Sequence, residues 1–317
     1  MAENKRTRWQ RRPGTTGGKL PWNDWRNATT WRKATQLLLL AMNIYIAITF
    51  WYWVRYYETA SSTTFVARPG GIEGWLPIAG LMNLKYSLVT GQLPSVHAAA
   101  MLLLVAFIVI SLLLKKAFCS WLCPVGTLSE LIGDLGNKLF GRQCVLPRLD
   151  VKMLDFFRHM GTATLISVTV LLIASLFIRH AWCRYLCPYG ALMGVVSLLS
   201  PFKIRRNAES CIDCGKCAKN CPSRIPVDKL IQVRTVECTG CMTCVESCPV
   251  ASTLTFSLQK PAANKKAFAL SGWLMTLLVL GIMFAVIGYA MYAGVWQSPV
   301  PEELYRRLIP QAPMIGH

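Results

Sequence analysis

Four long stretches of this chain lack any charged residue. Residues 34–54 lie between Lys33 and Arg55. A second stretch ends at Leu114, ahead of Lys115 and Lys116, and its most apolar part begins near Val96. Residues 160–178 lie between His159 and Arg179, and 267–301 is uncharged with an apolar core at about 273–292. Each core reaches the ~20 helical residues that cross ~30 Å of hydrocarbon. The lack of a polar face excludes the ordinary surface helix of a soluble protein. Acidic residues are also scarce: 15 Asp and Glu stand against 34 Lys and Arg, a net charge of +19. That excess does not point to nucleic acid, because it gathers beside the apolar stretches as cytoplasmic loops do. No nucleotide fingerprint, phosphate loop or flavin-attachment phrase is present, which argues against an independent NAD- or ATP-driven reaction. No cleavable leader is visible, since the first run ends in FWYWVRYY instead of small residues. The first helix is therefore expected to be a permanent anchor with its N-terminus inside.

The first 33 residues hold nine Lys or Arg, interleaved with Trp9, Trp22, Trp25 and Trp31. This mixture suits an anionic membrane surface with indoles at headgroup level, and equally a disordered basic tail.

Thirteen cysteines carry the most specific signal. Cys211, Cys214, Cys217 and Cys221-Pro222 have the spacing C-x2-C-x2-C-x3-C-P. Cys238, Cys241, Cys244 and Cys248-Pro249 repeat it at an offset of 27. Three thiolates on a tight loop wrap three corners of a cubane, and in two-cluster ferredoxins the fourth cysteine of each run ligates the other cluster. The expected ligand sets are Cys211, Cys214, Cys217 and Cys248 for one [4Fe–4S] cluster, and Cys238, Cys241, Cys244 and Cys221 for the second. Tetrahedral zinc needs neither the third cysteine nor the C-P ending. Disulfides fit poorly beside a basic, cytoplasmic-looking segment. The module is small enough for two clusters to act as its staples. TLTFSL at 253–258 alternates like a closing strand, and 260–266 is a basic link back to the last apolar run.

A second phrase is also written twice. FCSWLCPVGTL at 118–128 and WCRYLCPYGAL at 182–192 align at an offset of 64. Cys119 and Cys123, like Cys183 and Cys187, are four apart, which on a continuing helix places both thiols on one face. Pro124 and Pro188 favour a break at which the proline opens the next helix. Two such elbows brought together would present four thiols at a membrane edge, fit to hold a metal or cluster or to form redox-active disulfides. Packing of helix ends by small apolar residues is the alternative.

The elbows, the double ferredoxin run and the surrounding helices resemble the membrane polyferredoxins of the NapH/NosR/YccM type. RPGGIEGWLPIAGLMNLKY and PEELYRRLIP resemble the YccM-like branch. The resemblance covers the chain from about Ala34 onwards. It implies a membrane-bound electron carrier linking the quinone pool or cytoplasmic donors to exported reductases, with the elbows and clusters on the cytoplasmic side. One departure stands out. Relatives cross the membrane twice between the elbows, whereas here only 160–178 reads as a crossing, because 124–140 contains Glu130, Asp134 and Lys138 and reads as an interfacial amphipathic helix. Three crossings from an inside N-terminus would place the ferredoxin module outside, yet Lys115, Lys116, Lys138, Arg142 and Arg148 mark one elbow as internal, and Arg179, Arg184, Lys203, Arg205 and Arg206 the other. Three resolutions stand open: a segment lost at the Leu146–Asp150 junction, a re-entrant stretch that restores parity, or a different topology.

His97, His159 and His180 sit at the ends of apolar runs, but a simple antiparallel pairing puts His97 and His159 on opposite sides, against a transmembrane haem. Cys144 stands alone in a polar loop. The loop at 65–92, with Arg68, Glu73 and Lys85, reads either as a contact for a quinone head group or exported partner, or as capping of helix ends.

The expected fold is an α-helical integral membrane protein with an inserted α+β two-cluster bacterial-ferredoxin-like domain. Its parts are a basic cytoplasmic tail at 1–33, a membrane domain with three helices and two elbows at 34–200, the double-cluster domain at 201–259, a final transmembrane helix at 267–295 and a tail at 296–317. The expected function is electron relay in the bacterial inner membrane, between a quinone-pool or cytoplasmic donor and a membrane or exported redox partner, as a component of a quinol dehydrogenase or oxidoreductase system. The expected partners are membrane lipid, a redox protein and a quinone, with no nucleic acid. Two other readings are a copper or metal reductase using the elbow thiols, and a membrane scaffold or maturation factor with structural or sensory clusters.

Overall fold

The computed structural model describes residues 27–59, 64–140, 180, 183, 187–250, 252–258 and 269–311. The expected crossing at 160–178, the N-terminal tail up to residue 26, the link at 260–266, Cys144 and His159 lie outside the described residues. What is described is mostly helical. In chain order it comprises α1 (Ala28–Glu58), α2 (Pro77–Thr90), α3 (Ala98–Leu114), α4 (Pro124–Phe140), α5 (Pro188–Val196), β1 (Lys203–Arg206), α6 (Lys216–Lys219), α7 (Thr243–Glu246), β2 (Leu254–Ser257), α8 (Gly272–Tyr292) and α9 (Glu302–Leu308).

α1 and α8 are long and apolar enough to cross a membrane. Only 11% and 22% of their most apolar windows are buried, which separates them from the core helices of soluble proteins. α4 has its faces reversed relative to a soluble helix. Leu128, Leu131, Leu135 and Leu139 are exposed, while Gly126, Ser129, Glu130, Gly133 and Gly136 are buried.

The chain divides into two compact units, with α1, α3 and α8 contributing to both. One unit holds residues 38–108 and 280–317. Here the loop expected at 65–92 contains a helix: Pro77 starts α2 at its first position, and Gly91 ends it in the left-handed conformation at φ 70°. Gly80 packs so closely on the backbone of α3 that a Cβ there would lie 2.8 Å from the Ala100 carbonyl oxygen. Glu73 is almost wholly buried. Its Oε1 accepts from Ser298 Oγ at 2.7 Å and faces Arg68 Nη1 and His97 Nδ1, each at 3.4 Å. This carboxylate ties the 65–76 segment to the start of α3 and to Ser298. Tyr305 of α9 packs edge-on against Trp53 of α1, with ring centroids 5.0 Å apart.

The other unit holds residues 1–37 and 109–279. Its two-stranded sheet pairs β1 with β2 antiparallel, from Lys203 opposite Ser257 to Arg206 opposite Leu254. The alternation read in TLTFSL buries Leu254 and Phe256 beside Ile204, Val227 and Val233. Two short helical turns, α6 and α7, carry Cys217 and Cys244.

Candidate functional site

The duplicated ferredoxin run folds as a duplicated backbone. The residues on either side of the second cysteine of each run are left-handed: Asp213 and Gly215 around Cys214 (φ 50° and 66°), Gly240 and Met242 around Cys241 (φ 63° and 60°). Such alternation turns successive N–H groups to one side and builds the anion-accepting concavity found at many Fe–S sites. A non-glycine residue pays for this conformation in strain of order 1–3 kcal/mol.

Two cavities result. One, of about 350 Å³, is lined by Cys211, Cys214, Cys217 and Cys248. The other, of about 360 Å³, is lined by Cys221, Cys238, Cys241 and Cys244. Each thus gathers three cysteines of one run and the fourth of the other. Among the described residues no three His, Cys, Asp or Glu side chains converge on a point where a single metal ion would sit. The thiols surround a space instead, as a cubane requires and tetrahedral zinc does not. Burial pushes the Cys238 thiol up to about 11, although the Gly240 N–H and Lys115 favour its ionised form. Cys221 is likewise raised by burial, against N–H groups of Ser223, Arg224 and Ile225. A buried thiolate of this kind needs a metal beside it.

The elbows are also duplicates in three dimensions. Cys123 and Cys187 each leave the helical region, with φ −69° and ψ 119°, and φ −75° and ψ 115°, and each precedes a proline that opens a helix, α4 or α5. Cys123 N donates to Phe118 O at 3.0 Å in a π-type turn, so the continuing helix expected from the four-residue spacing is widened by one residue before it breaks. The repeated glycine has a steric reason. A Cβ on Gly126 would lie 2.3 Å from Cys119 O, and one on Gly190 2.6 Å from Cys183 O.

The two elbows come together. Cys119, Cys123, Cys187 and Lys116 all bear electrostatically on Cys183, whose thiol is raised above its usual range, first by burial. Burial also pushes Cys119 up to about 12, with Lys116 opposing. A cavity of about 720 Å³ is lined by Cys119 and Cys183 from the elbows, Cys241 from the second cluster loop, and Arg32, Lys116 and Glu130.

Hydrogen bonds dock the second cluster loop on the first elbow. Ser120 Oγ donates to Thr239 O at 2.7 Å, Trp121 Nε1 to Gly240 O at 3.3 Å and Lys115 Nζ to Thr235 O at 3.4 Å. From α1, Thr29 N donates to Glu246 Oε1 at 2.7 Å, and Gln36 Nε2 bridges Ser120 O and Glu130 Oε2. Sequence reasoning counted Arg32 within the basic tail, Lys115 as a marker of the internal side and Glu130 as part of an interfacial helix. Their inward placement has no local signal, since a charge flanking an apolar run reads the same whether it faces solvent or a buried thiol.

The comparisons with known proteins match the same segments of the chain. A 4Fe-4S binding domain family matches residues 96–143 and again 160–207, each covering one elbow, and a 4Fe-4S dicluster domain family matches 203–249. No solved structure matches the chain. The electron transport protein YccM of Escherichia coli (strain K12) is 88% identical over 357 aligned positions, covering the full length of both chains. Those positions outnumber the 317 residues here, so that relative has residues with no counterpart in this chain. The ferredoxin-type protein NapH of the same strain is 26% identical over 53% of this chain and 70% of its own length. The methylamine utilization ferredoxin-type protein MauN of Methylorubrum extorquens is 28% identical over 47% of this chain and 62% of its own. With two duplicated cysteine phrases and a relative this similar over its whole length, the chain belongs to the YccM family of ferredoxin-type, 4Fe–4S electron-transport proteins.

Proposed function

We propose that this protein is a multi-pass membrane electron relay in which two [4Fe–4S] clusters pass single electrons to or from a site at the elbows. The observation that carries the proposal is the cavity shared by Cys241, Cys119 and Cys183. Cys211, Cys214, Cys217 and Cys248 would hold one cluster and Cys221, Cys238, Cys241 and Cys244 the other, and bound there they supply one-electron redox chemistry. The chain's own part is placement. Ser120, Trp121 and Lys115 fix the second ligand loop on the first elbow, and the N–H of left-handed Gly240, beside Cys241, bonds the buried Cys238 sulfur. The crossing of the two runs' fourth cysteines makes the module rigid, because neither ligand set closes without both halves of the sequence.

A lipid surroundings is supported by the outward leucines of α4 and by the exposed apolar faces of α1 and α8. We place the ferredoxin module on the cytoplasmic side of the inner membrane, on the charge distribution around the elbows. The missing crossing is accounted for if the residues present only in YccM fall between Cys123 and Cys183, where one span plus a loop would restore the even number of crossings. A redox protein and a membrane quinone are the partners that this placement serves. Tagging the chain after residue 258 and after residue 311 with a reporter active only in the cytoplasm tests the topology: signal from the first and not the second is expected, and the reverse pattern overturns it.

The elbow site is tested by iron, acid-labile sulfide and copper content of anaerobically purified protein, with and without Cys119→Ser and Cys183→Ser. About eight irons per chain are expected from two clusters. Additional iron lost in the variant makes the elbows a third cluster site, and copper lost in the variant favours the metal-reductase reading. Absence of iron from the wild-type protein overturns the electron-relay reading itself.

A further inference from the structure

The two cysteine-lined cavities have different electrostatic surroundings. Lys115 is completely buried at the exit of α3. Its backbone is left-handed at φ 61°, a strained conformation for a lysine, and is held there by the hydrogen bond from its N–H to Ser200 Oγ at 3.1 Å. The side chain reaches the second ligand loop, donating to Thr235 O, and its charge bears on Cys238. The charged groups acting on it are Cys238 and Lys203, with no carboxylate among them. A buried ammonium without a carboxylate is costly unless another anion compensates it. The available anion is the sulfur set of the second cavity. Arg32 adds a second buried cation whose charge reaches Cys241, although Glu130 offsets most of it.

The first cavity is lined by charges of both signs, Asp228 and Arg206. Asp228 lines that cavity, its Oδ1 is buried without a hydrogen-bond partner, and its charge bears on Cys217. Arg206 also lines the cavity but lies 3.7 Å from Asp213, whose carboxylate faces Cys211 Sγ at 3.5 Å. Asp213 is mostly in solvent where its field is screened, so Arg206, only 12% exposed, is set against Asp228 and the two offset one another, whereas no carboxylate is among the groups acting on Lys115. Cys214 of the first site is exposed, whereas none of the second site's four cysteines is.

We propose that Lys115 beside Cys238 and Asp228 beside Cys217 hold the two cluster sites at different potentials, the site next to the elbows being the higher, so that electrons run from the exposed site inward. The inference rests on the relay reading above and deepens it. Net charge and hydrogen bonds to the sulfurs are among the determinants of cluster potential. A fixed cation favours the reduced, more negative state, and a fixed anion opposes it. In the transfer, one electron leaves the site at Cys211, Cys214, Cys217 and Cys248 and one arrives at the site at Cys221, Cys238, Cys241 and Cys244, with no bond made or broken and no proton moved. The exposed site then faces a soluble one-electron carrier of low potential as donor, and the membrane side is the outlet.

The test is a potentiometric titration followed by electron paramagnetic resonance on the full chain in detergent, with iron content measured alongside. Wild-type protein is expected to show two couples. Lys115→Gln should lower the higher midpoint and leave the lower one in place, shifting the one-electron partition between the sites at least tenfold, which is about 59 mV. Lys115→Arg should restore it. Asp228→Asn should raise the lower midpoint and narrow the gap from the other side, and it supplies the test alone if Lys115→Gln does not assemble both clusters. A gap that narrows in neither variant, with iron content intact, overturns the potential order. Failure of the wild-type protein to show two couples is a separate result that overturns the underlying relay reading.

Discussion

Arg32 at the start of α1 grips Glu130 of α4 through two parallel hydrogen bonds, Nη1 to Oε2 at 2.7 Å and Nη2 to Oε1 at 2.8 Å. Both side chains are nearly excluded from solvent, 4% and 11% exposed. The fork geometry suits a guanidinium and a carboxylate and no lysine could reproduce it. Removing one partner leaves a buried charge uncompensated, so Glu130→Ala should lower unfolding stability by about 3–5 kcal/mol. Replacing both residues with apolar ones should cost less than the single change. Denaturation of both variants in detergent checks the order.

The same pair fixes an acid limb of stability. Burial alone would raise the Glu130 carboxyl, but the Arg32 hydrogen bonds and charge, with Gln36, hold it down at about 2 from its ordinary 4.5. A depressed carboxyl stabilises the fold in full above its unfolded value and loses that contribution as pH falls through its folded value. The loss should therefore fall between about pH 4.5 and 2, and be absent at neutral pH. Glu130→Gln should be less stable than wild type at pH 7, and the difference should shrink across that window when melting is followed against pH.

Gly126 and Gly190 leave no room for a methyl group, because each lies against the carbonyl of the first cysteine of its own elbow. Alanine at either position should cost about 1–3 kcal/mol by overpacking. Alkylation of the elbow cysteines should become faster in both variants, as judged by mass spectrometry. Alanine at Gly288, where a Cβ meets nothing within 4 Å, is the control and should change neither.

The crossing of ligands between runs has a distinctive consequence. Cys221 belongs to the first run in sequence but lines the cavity of Cys238, Cys241 and Cys244. Cys221→Ser should therefore lose the same spectroscopic component as Cys241→Ser, and a different one from Cys214→Ser. Each single variant should retain about four irons. A Cys221→Ser protein that matches Cys214→Ser would reverse the assignment.

Much of the site was legible because its chemistry is local. Three cysteines at fixed spacing on one loop, and a cysteine four residues before another that precedes proline, are constraints written within a dozen residues. The sequence alone determined the two cysteine phrases, the apolar stretches and the amphipathic stretch that is helix α4, since spacing and periodicity report on one segment at a time. The helix inside 65–92 was hidden by its short length and by the prolines and glycines around it.

Only the tertiary structure decided which charges face inward. Lys115, Arg32 and Glu130 stand in sequence as flanking charges or as the polar face of a helix. The turn of Lys115 into the left-handed region and the packing of α4 against α1 put them instead beside Cys238, Cys241 and one another. Likewise, the sequence wrote each elbow separately, and folding brought the two together above the Cys241 loop. The reason is physical: cysteine spacing along a loop is set by covalent geometry, whereas the field at Cys238 and Cys241 depends on Lys115 and Arg32, about 120 and 210 positions away in the chain, which only packing brings near.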